Sequence, residues 1–487
     1  GFITPSVPFA ERWFIKMEKN LSISEQIANI SVGLKYEDID ERTIENAKIF
    51  MLDCLGCILS GSQIENAKVI RKSAADISEG GSCTVFGTGQ KVNAMMAALV
   101  NGTAGHSQDY DDDHREGTQH ASVAVLPAVL ALAEKYGCSG KDVLLAYIIG
   151  SDVTIRAGEA FEGTSYYAGW HLTGTCGVMG AAAGAAKILG LNARQTVDAL
   201  GVAGSAAGGL GAFNSNGSWT KRFHAGQSAM NGVLAAAMGR DGYFAPTAVF
   251  EDKDGFLNCF SFKGWSADDA ILPNGIQNPA RLTDGFGTKW EMADNSIKLH
   301  SCCRFTNNFC DCAIDIHDQG CDWTKIRSIH AECNKFTDAK LCHPVEVKRH
   351  PLNPVNAQFS LFYEIACGLV KGEVLPESFT EEAIKDERLY GLCDKITWEI
   401  NDDFEAVYPD RYPAKVTVTM EDGNTYTGEV AYPKGDPEYP ATYEEVVKKF
   451  RANAANTIGS VKAEKIISLV KQIEDVEDIN ELIACMY

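Results

Sequence analysis

Between His106 and His120 the chain carries His106, His114 and His120 together with Asp109, Asp111, Asp112 and Asp113. Helix-like runs rich in Ala, Val and Leu flank this stretch on both sides. Polar density beside buried helices is unfavourable unless the groups do chemistry or hold a ligand. An imidazole can move a proton near neutral pH, and a buried carboxylate can fix its tautomer, so the cluster suits acid–base catalysis. The Asp109-x-Asp111-x-Asp113 spacing also opens a calcium loop, but that loop needs Gly at its sixth position and Glu at its twelfth. Here those positions are His114 and His120, which excludes it. A transition-metal site from His106, Asp109, Asp111 and His114 stays open, though no second cluster with ligand spacing supports it. An acidic helix end with solvated carboxylates is the plain alternative.

Other candidates lie far along the chain. His171 sits in a run with Gly174, Gly177 and Gly180, whose three-residue spacing opens a helix start able to face an anion. A core histidine bonded to a backbone carbonyl explains it equally. Lys221, Arg222 and His224 precede an Ala-rich helix and suit carboxylate binding, with a surface basic patch as the alternative. Lys298, His300, Cys302, Cys303 and Arg304 form the last cluster. Cys302, Cys303, Cys310 and Cys312 fit no iron–sulfur spacing. Cys54 and Cys57, on an apolar helix face, read as core packing before a redox pair. No dinucleotide fingerprint, phosphate loop or Gly-x-Ser-x-Gly elbow is present.

These residues need elements to position them. From Ser22 to about Gly239 the pattern is one helix after another. Over Arg42–Ser60, apolar residues recur every three or four positions. Gly177–Gly190, Thr196–Gly211 and Ala225–Gly239 are rich in Ala and Gly, which predicts central helices in close contact. From about Lys289, strand-like segments appear at Ile326–Cys333, Ile396–Ile400, Lys415–Met420 and Thr425–Ala431, the last two joined by a turn at Asp422-Gly423. Helical runs at Ala357–Val370 and Glu381–Cys393 lie among them. Pro433–Pro440 reads as a linker, and Tyr443–Ala452 and Ala463–Ile479 as helices. The expected fold is mainly α with an α+β part. A large all-helical domain spans 17–288, a smaller inserted α+β lid spans 289–434, and helices in 435–487 return to the helical domain. A cleft between the two parts is the natural ligand site. Residues 1–16 read as an upstream extension or a cloning remnant.

Composition narrows the partners. The 487 residues carry a net charge of −21 with no Lys/Arg-rich run, which argues against nucleic acid and anionic membranes; an anionic substrate needs a locally positive pocket. Sixteen scattered cysteines and no convincing signal peptide predict a cytoplasmic protein with reduced thiols. No window reaches the roughly 18 apolar residues of a membrane span.

Taken together, the motifs resemble the MmgE/PrpD family, over nearly the whole chain from about Ile23. The resemblance rests on Leu52-Asp-Cys-Leu-Gly56, Asn101-Gly-Thr-Ala-Gly-His106, Asp109-Tyr-Asp-Asp112, His120-Ala-Ser122 with Val125-Leu-Pro127, and Trp219-Thr-Lys221 with His224-Ala-Gly226. It continues through Lys298 with Cys302, Ala357-Gln-Phe-Ser-Leu361 with Tyr363, and Gly435-Asp-Pro437. It implies a helical domain with an α+β lid, a homodimer, and no metal or organic cofactor. The implied activity is that of a lyase, a dehydratase or decarboxylase, acting on a small di- or tricarboxylate by proton transfer next to a carboxylate. Epimerisation of a dicarboxylate such as iminodisuccinate is the alternative, and a non-catalytic carboxylate-binding protein is an alternative of another class. The family's pocket residues fall on Asp109, His120, His171, Lys221 and Lys298. His120 and His171 would be the acid–base pair, the two lysines the carboxylate clamp, and Asp109 the partner of an imidazole. Asp113, Arg222, His224 and Arg304 would assist in binding substrate. Three features depart from the family's decarboxylases: Asp113 stands where they carry Thr, the loop before His120 is one residue longer, and no Tyr occurs between Cys333 and Ser360.

Overall fold

The structure, a computed structural model, describes residues 21–261, 277–408 and 410–487. The extension expected at 1–16 lies outside the described residues. Helix starts follow side-chain caps. Ser22 caps Ile23–Gly33 (α1) in a box with Glu25, Asp40 caps Glu41–Gly61 (α2), and Asn93 caps Ala94–Gly105 (α3). Then come Ala121–Tyr136 (α4), Gly140–Glu159 (α5), Gly177–Ile188 (α6), Ala193–Ala206 (α7) and Thr220–Arg240 (α8).

Small residues bring these helices together backbone to backbone. A Cβ added to Gly180 of α6 would stand 2.1 Å from the Gly150 carbonyl oxygen of α5. One added to Gly226 of α8 would meet the Leu99 carbonyl of α3 at the same distance. The α3–α8 contact matters for the site, because α3 runs into the His106 loop and the first turn of α8 carries Lys221.

One hydrophobic core joins α2, α4, α5 and α6 with Val446, Phe450 and Ile466 of the C-terminal helical stretch Tyr443–Lys471. A second core joins the helices Asn307–Asp318 and Leu361–Lys371 to a four-stranded sheet. Its strands are Ile326–Cys333 (β1), Ile396–Ile400 (β2), Ala414–Met420 (β3) and Thr425–Val430 (β4), in the order β2-β1-β3-β4. β1 pairs parallel with β2 and antiparallel with β3, and β4 closes a hairpin on β3. Along β3, Ala414, Val416, Val418 and Met420 alternate into the core, as a half-covered strand must. Gly423 turns the hairpin at φ 90°. The molecule is thus mainly α with an α+β part. Among the described residues no single helix is long and apolar enough to cross a membrane.

Several boundaries differ from expectation. The helix expected through Gly211 ends at Ala206, because the glycine-rich segment beyond it pairs instead with residues 170 and 171: His171 N–H donates to the Gly209 carbonyl at 2.9 Å. The run Ala357–Val370 is two helices, since the Ser360 hydroxyl caps the second by accepting from Tyr363 N–H. Glu381–Cys393 is α-helical only from Glu387, where Asp386 supplies the cap. The two C-terminal helices form one stretch broken at Gly459, φ 77°. The Pro433–Pro440 segment is no solvated linker: its Asp436 is buried against Arg304 and Arg115.

Candidate active site

The loop between α3 and α4 is built inward. Asp109 takes a left-handed conformation, φ 52°, and His106, Asp109, Asp111 and Asp112 are all fully buried. Asp109 is the electrostatic centre. One carboxylate oxygen accepts from Lys221 Nζ at 2.7 Å and Arg222 Nη1 at 3.3 Å; the other accepts from Lys298 Nζ at 2.7 Å. Lys298 also donates to the carbonyls of Asp109 and Cys302, each at 3.1 Å. Burial alone would raise the Asp109 carboxyl, but the Lys221, Lys298 and Arg222 charges outweigh it and hold it well below the usual range. Burial pulls the Lys221 ammonium down to about 8 against the pull of Asp109. Lys298 lies the other way, raised because Asp109, Asp113 and Asp111 together overcome its burial.

The imidazoles gather beside this ion cluster. His106 and His120 lie 4.6 Å apart between ring centroids, His106 and His171 5.6 Å, and His120 and His171 6.3 Å. Asp111, and not Asp109, orients them. His106 Nδ1 lies 2.9 Å and His120 Nδ1 3.2 Å from its carboxylate, and His120 Nδ1 also faces the Asp112 carbonyl at 3.0 Å. The acceptors around Nδ1 favour the hydrogen at that nitrogen and leave Nε2 of each ring turned away from Asp111. The expectation that Asp109 orients an imidazole is therefore corrected: its hydrogen bonds are spent on Lys221, Lys298 and Arg222. His171 Nδ1 meets His224 Nδ1 at 3.0 Å. Burial lowers both rings, and Lys221 adds to it, so His171 lies well below the ordinary imidazole range and His224 at about 4. Two neutral rings sharing one proton make such a contact favourable.

A cavity of about 40 Å³ opens between the two parts of the fold. Asp109, Asp113, His120, His171 and Lys221 line it from the helical side; Arg304, Phe359 and Tyr412 line it from the α+β side. Lys298 reaches it through Asp109. Two expected substrate contacts sit behind the wall. Arg222 is 1% exposed and spends its other end on Gln358 at 2.6 Å, and His224 backs His171. Arg304 is at the wall but neutralised by Asp436, at 2.5 and 2.6 Å, and by Asp113 at 3.2 Å.

Donor sets for a metal exist. His106, His120 and His171 place ring nitrogens within 4.8 Å of one another, and His106, Asp109, Asp111 and His120 form an overlapping set. The two ammonium groups on Asp109 oppose a cation there. His114, expected among such ligands, instead accepts from Gly117 N–H through Nδ1 at 3.0 Å. Of the four cysteines weighed for a cluster, only Cys302 and Cys310 approach, Sγ to Sγ 3.7 Å, beside Glu364.

Sequence reasoning left out Tyr166, Tyr412 and Lys449, weighed Asp111 only as a metal ligand, and gave Asp436 no role in the site. Lys449 Nζ binds Asp53 at 2.7 Å and donates to the carbonyls of Tyr110, at 2.6 Å, and Lys298, at 2.8 Å, so it ties both site loops to one helix. The signal for it was Asp53, the one carboxylate in the apolar run Ile49–Leu59 of α2, which demands a buried partner.

The MmgE/PrpD N-terminal domain matches residues 25–267 and the MmgE/PrpD C-terminal domain residues 300–475. A "Cis-aconitate decarboxylase-like protein oryM" of Aspergillus oryzae is 29% identical, over 95% of this chain and 97% of its own length. The cis-aconitate decarboxylase of Aspergillus terreus is 27% identical over 89% of each chain. The human cis-aconitate decarboxylase is 29% identical over 90% of this chain and 89% of its own. With both domains matched in order along most of its length, this chain belongs to the MmgE/PrpD family.

Proposed function

We propose that this enzyme is a cofactor-independent lyase that transfers a proton at carbon next to a carboxylate of a small di- or tricarboxylate. The observation that supports the reading is the convergence of two imidazoles and the Lys221 ammonium on one small interdomain cavity, with the Lys298 ammonium behind it on Asp109. A C–H beside a carboxylate is a very weak acid, so charge building on that carboxylate must be held by fixed cations while a base takes the proton. Lys221 and Lys298 supply the cations, and Asp109 keeps both in place between turnovers. His120, with Asp111 behind its Nδ1, presents a basic Nε2. His171, backed by His224, stands across the cavity as the second proton-transfer group. Each such group typically contributes about 10²–10⁴-fold.

The names of the relatives favour decarboxylation of cis-aconitate as the first reaction to test; there the C–C bond to one carboxylate breaks, carbon dioxide leaves, and one imidazolium of the pair gives its proton to the carbon that keeps the electron pair. Asp113 and the missing tyrosine keep dehydration and dicarboxylate epimerisation in the same trial. We further propose that residues 289–434 act as a lid over the helical domain, closing on substrate and expelling water. The protein is taken as a cytoplasmic homodimer.

Incubation with cis-aconitate, 2-methylcitrate and iminodisuccinate in heavy water, followed by NMR, tests the reading. Turnover or solvent exchange with one acid is expected, and His120→Gln should abolish it while leaving the thermal midpoint nearly unchanged. Exchange without net product identifies an epimerase. If no acid exchanges, the enzyme reading falls and a binding protein replaces it.

A further inference from the structure

The cavity at the reacting groups is small, about 40 Å³. A second cavity of about 320 Å³ lies beside it, and Tyr166 stands in the wall of both. This second space also lies between the two parts of the fold. Asn214 and His343 are exposed at its mouth, and Lys348 is buried at its floor. Lys348 Nζ donates to the Phe359 carbonyl at 2.6 Å, and the Phe359 ring lies under Lys221 Nζ at 5.2 Å, so the floor abuts the catalytic wall.

Its chemistry is one-sided. Lys340, His343 and Lys348 line it, and no carboxylate among the described residues does. Asp338 pairs with His343 from outside the lining at 3.3 Å. Lys340 is half-buried and meets no carboxylate among the described residues. It sits in a π-helical turn, Asp338–Cys342, a rare conformation that recurs at functional sites. A chain with net charge −21 repels a polyanion at long range, so approach must run through a local positive field.

We propose that this second cavity is a loading chamber: a carboxylate-bearing substrate is first held against the Lys340 ammonium and then passes Tyr166 into the catalytic cavity. The proposal rests on the carboxylate-acting reading above and names the route to that site.

Steady-state kinetics of the full chain at low and high ionic strength, on whichever acid turns over, provide the test. Lys340→Gln should lower kcat/KM about tenfold at low salt with kcat unchanged. Lys340→Glu should lower it further, and both variants should flatten its fall with added salt. A merely structural lysine would not split kcat from kcat/KM or change the salt slope. If both variants match the wild type in kcat/KM and salt slope, the chamber is overturned while the functional reading stands. If the wild type turns over no acid, the functional reading fails, and calorimetric titration with citrate decides the chamber alone. Weaker binding by Lys340→Gln supports it; equal affinity, or no binding to the wild type, overturns it.

Discussion

Asp111, Asp112 and Asp113 are the same residue type at adjacent positions, and each meets a different environment. Asp111 stays ionised between two imidazoles. Asp112 accepts from Ser122 and Asn295, and burial, with Asp53 and Asp111 nearby, raises it well above the carboxylate range, which favours its neutral form. Asp113 faces Arg304. Nothing in a linear string separates them, because backbone direction in a buried loop decides which partner each reaches. His120, His171, Lys221 and Lys298 were singled out as a set by the resemblance to the MmgE/PrpD family, and the fold brings the first three to one cavity with Lys298 behind it on Asp109. Their individual partners were not legible. Lys221 gives a prediction at this scale. Burial favours its neutral amine and brings it down to about 8, so the charged form that binds a carboxylate prevails below that pH and is lost above it. We expect kcat/KM to fall as pH rises through about 8, and Lys221→Arg to move that limb to higher pH. A wild-type profile flat to pH 10 would remove Lys221 from carboxylate binding.

At the scale of elements, the ion pair between Asp53 of α2 and Lys449 of the Tyr443–Lys471 stretch has the widest reach, since Lys449 also holds the Tyr110 and Lys298 carbonyls. Lys449→Met strands a buried carboxylate and should lower unfolding free energy by about 3–5 kcal/mol in urea titration, with Asp53→Asn in the same chain recovering part of the loss. A change below about 1 kcal/mol would show that the pair is dispensable. The strands and the Asp422-Gly423 hairpin were legible because period-two burial and a turn glycine are local properties. Helix ends were not, where Ser360 or Asp386 capped a helix that periodicity alone would have continued, nor was Asp436 in a proline-rich segment, where composition suggests solvent. Those outcomes depend on distant partners.

Over the whole molecule, the cavity lies between the two parts of the fold: the second core lines it through Phe359 and Tyr412, the helical part presents polar side chains, and Tyr166 packs against both cores. A site shared in this way needs both parts held in register. Sedimentation equilibrium should return twice the mass of one chain; a single-chain mass would remove the homodimer from the proposal.

Lys449 also fixes when the site can exist. Its partner Asp53 and the loops it holds are synthesised long before it. A nascent chain still lacking that helix therefore has Asp53 unpaired and both loops untethered. We therefore expect the reactive pocket to take its final form late in translation, once the C-terminal helix has cleared the ribosome.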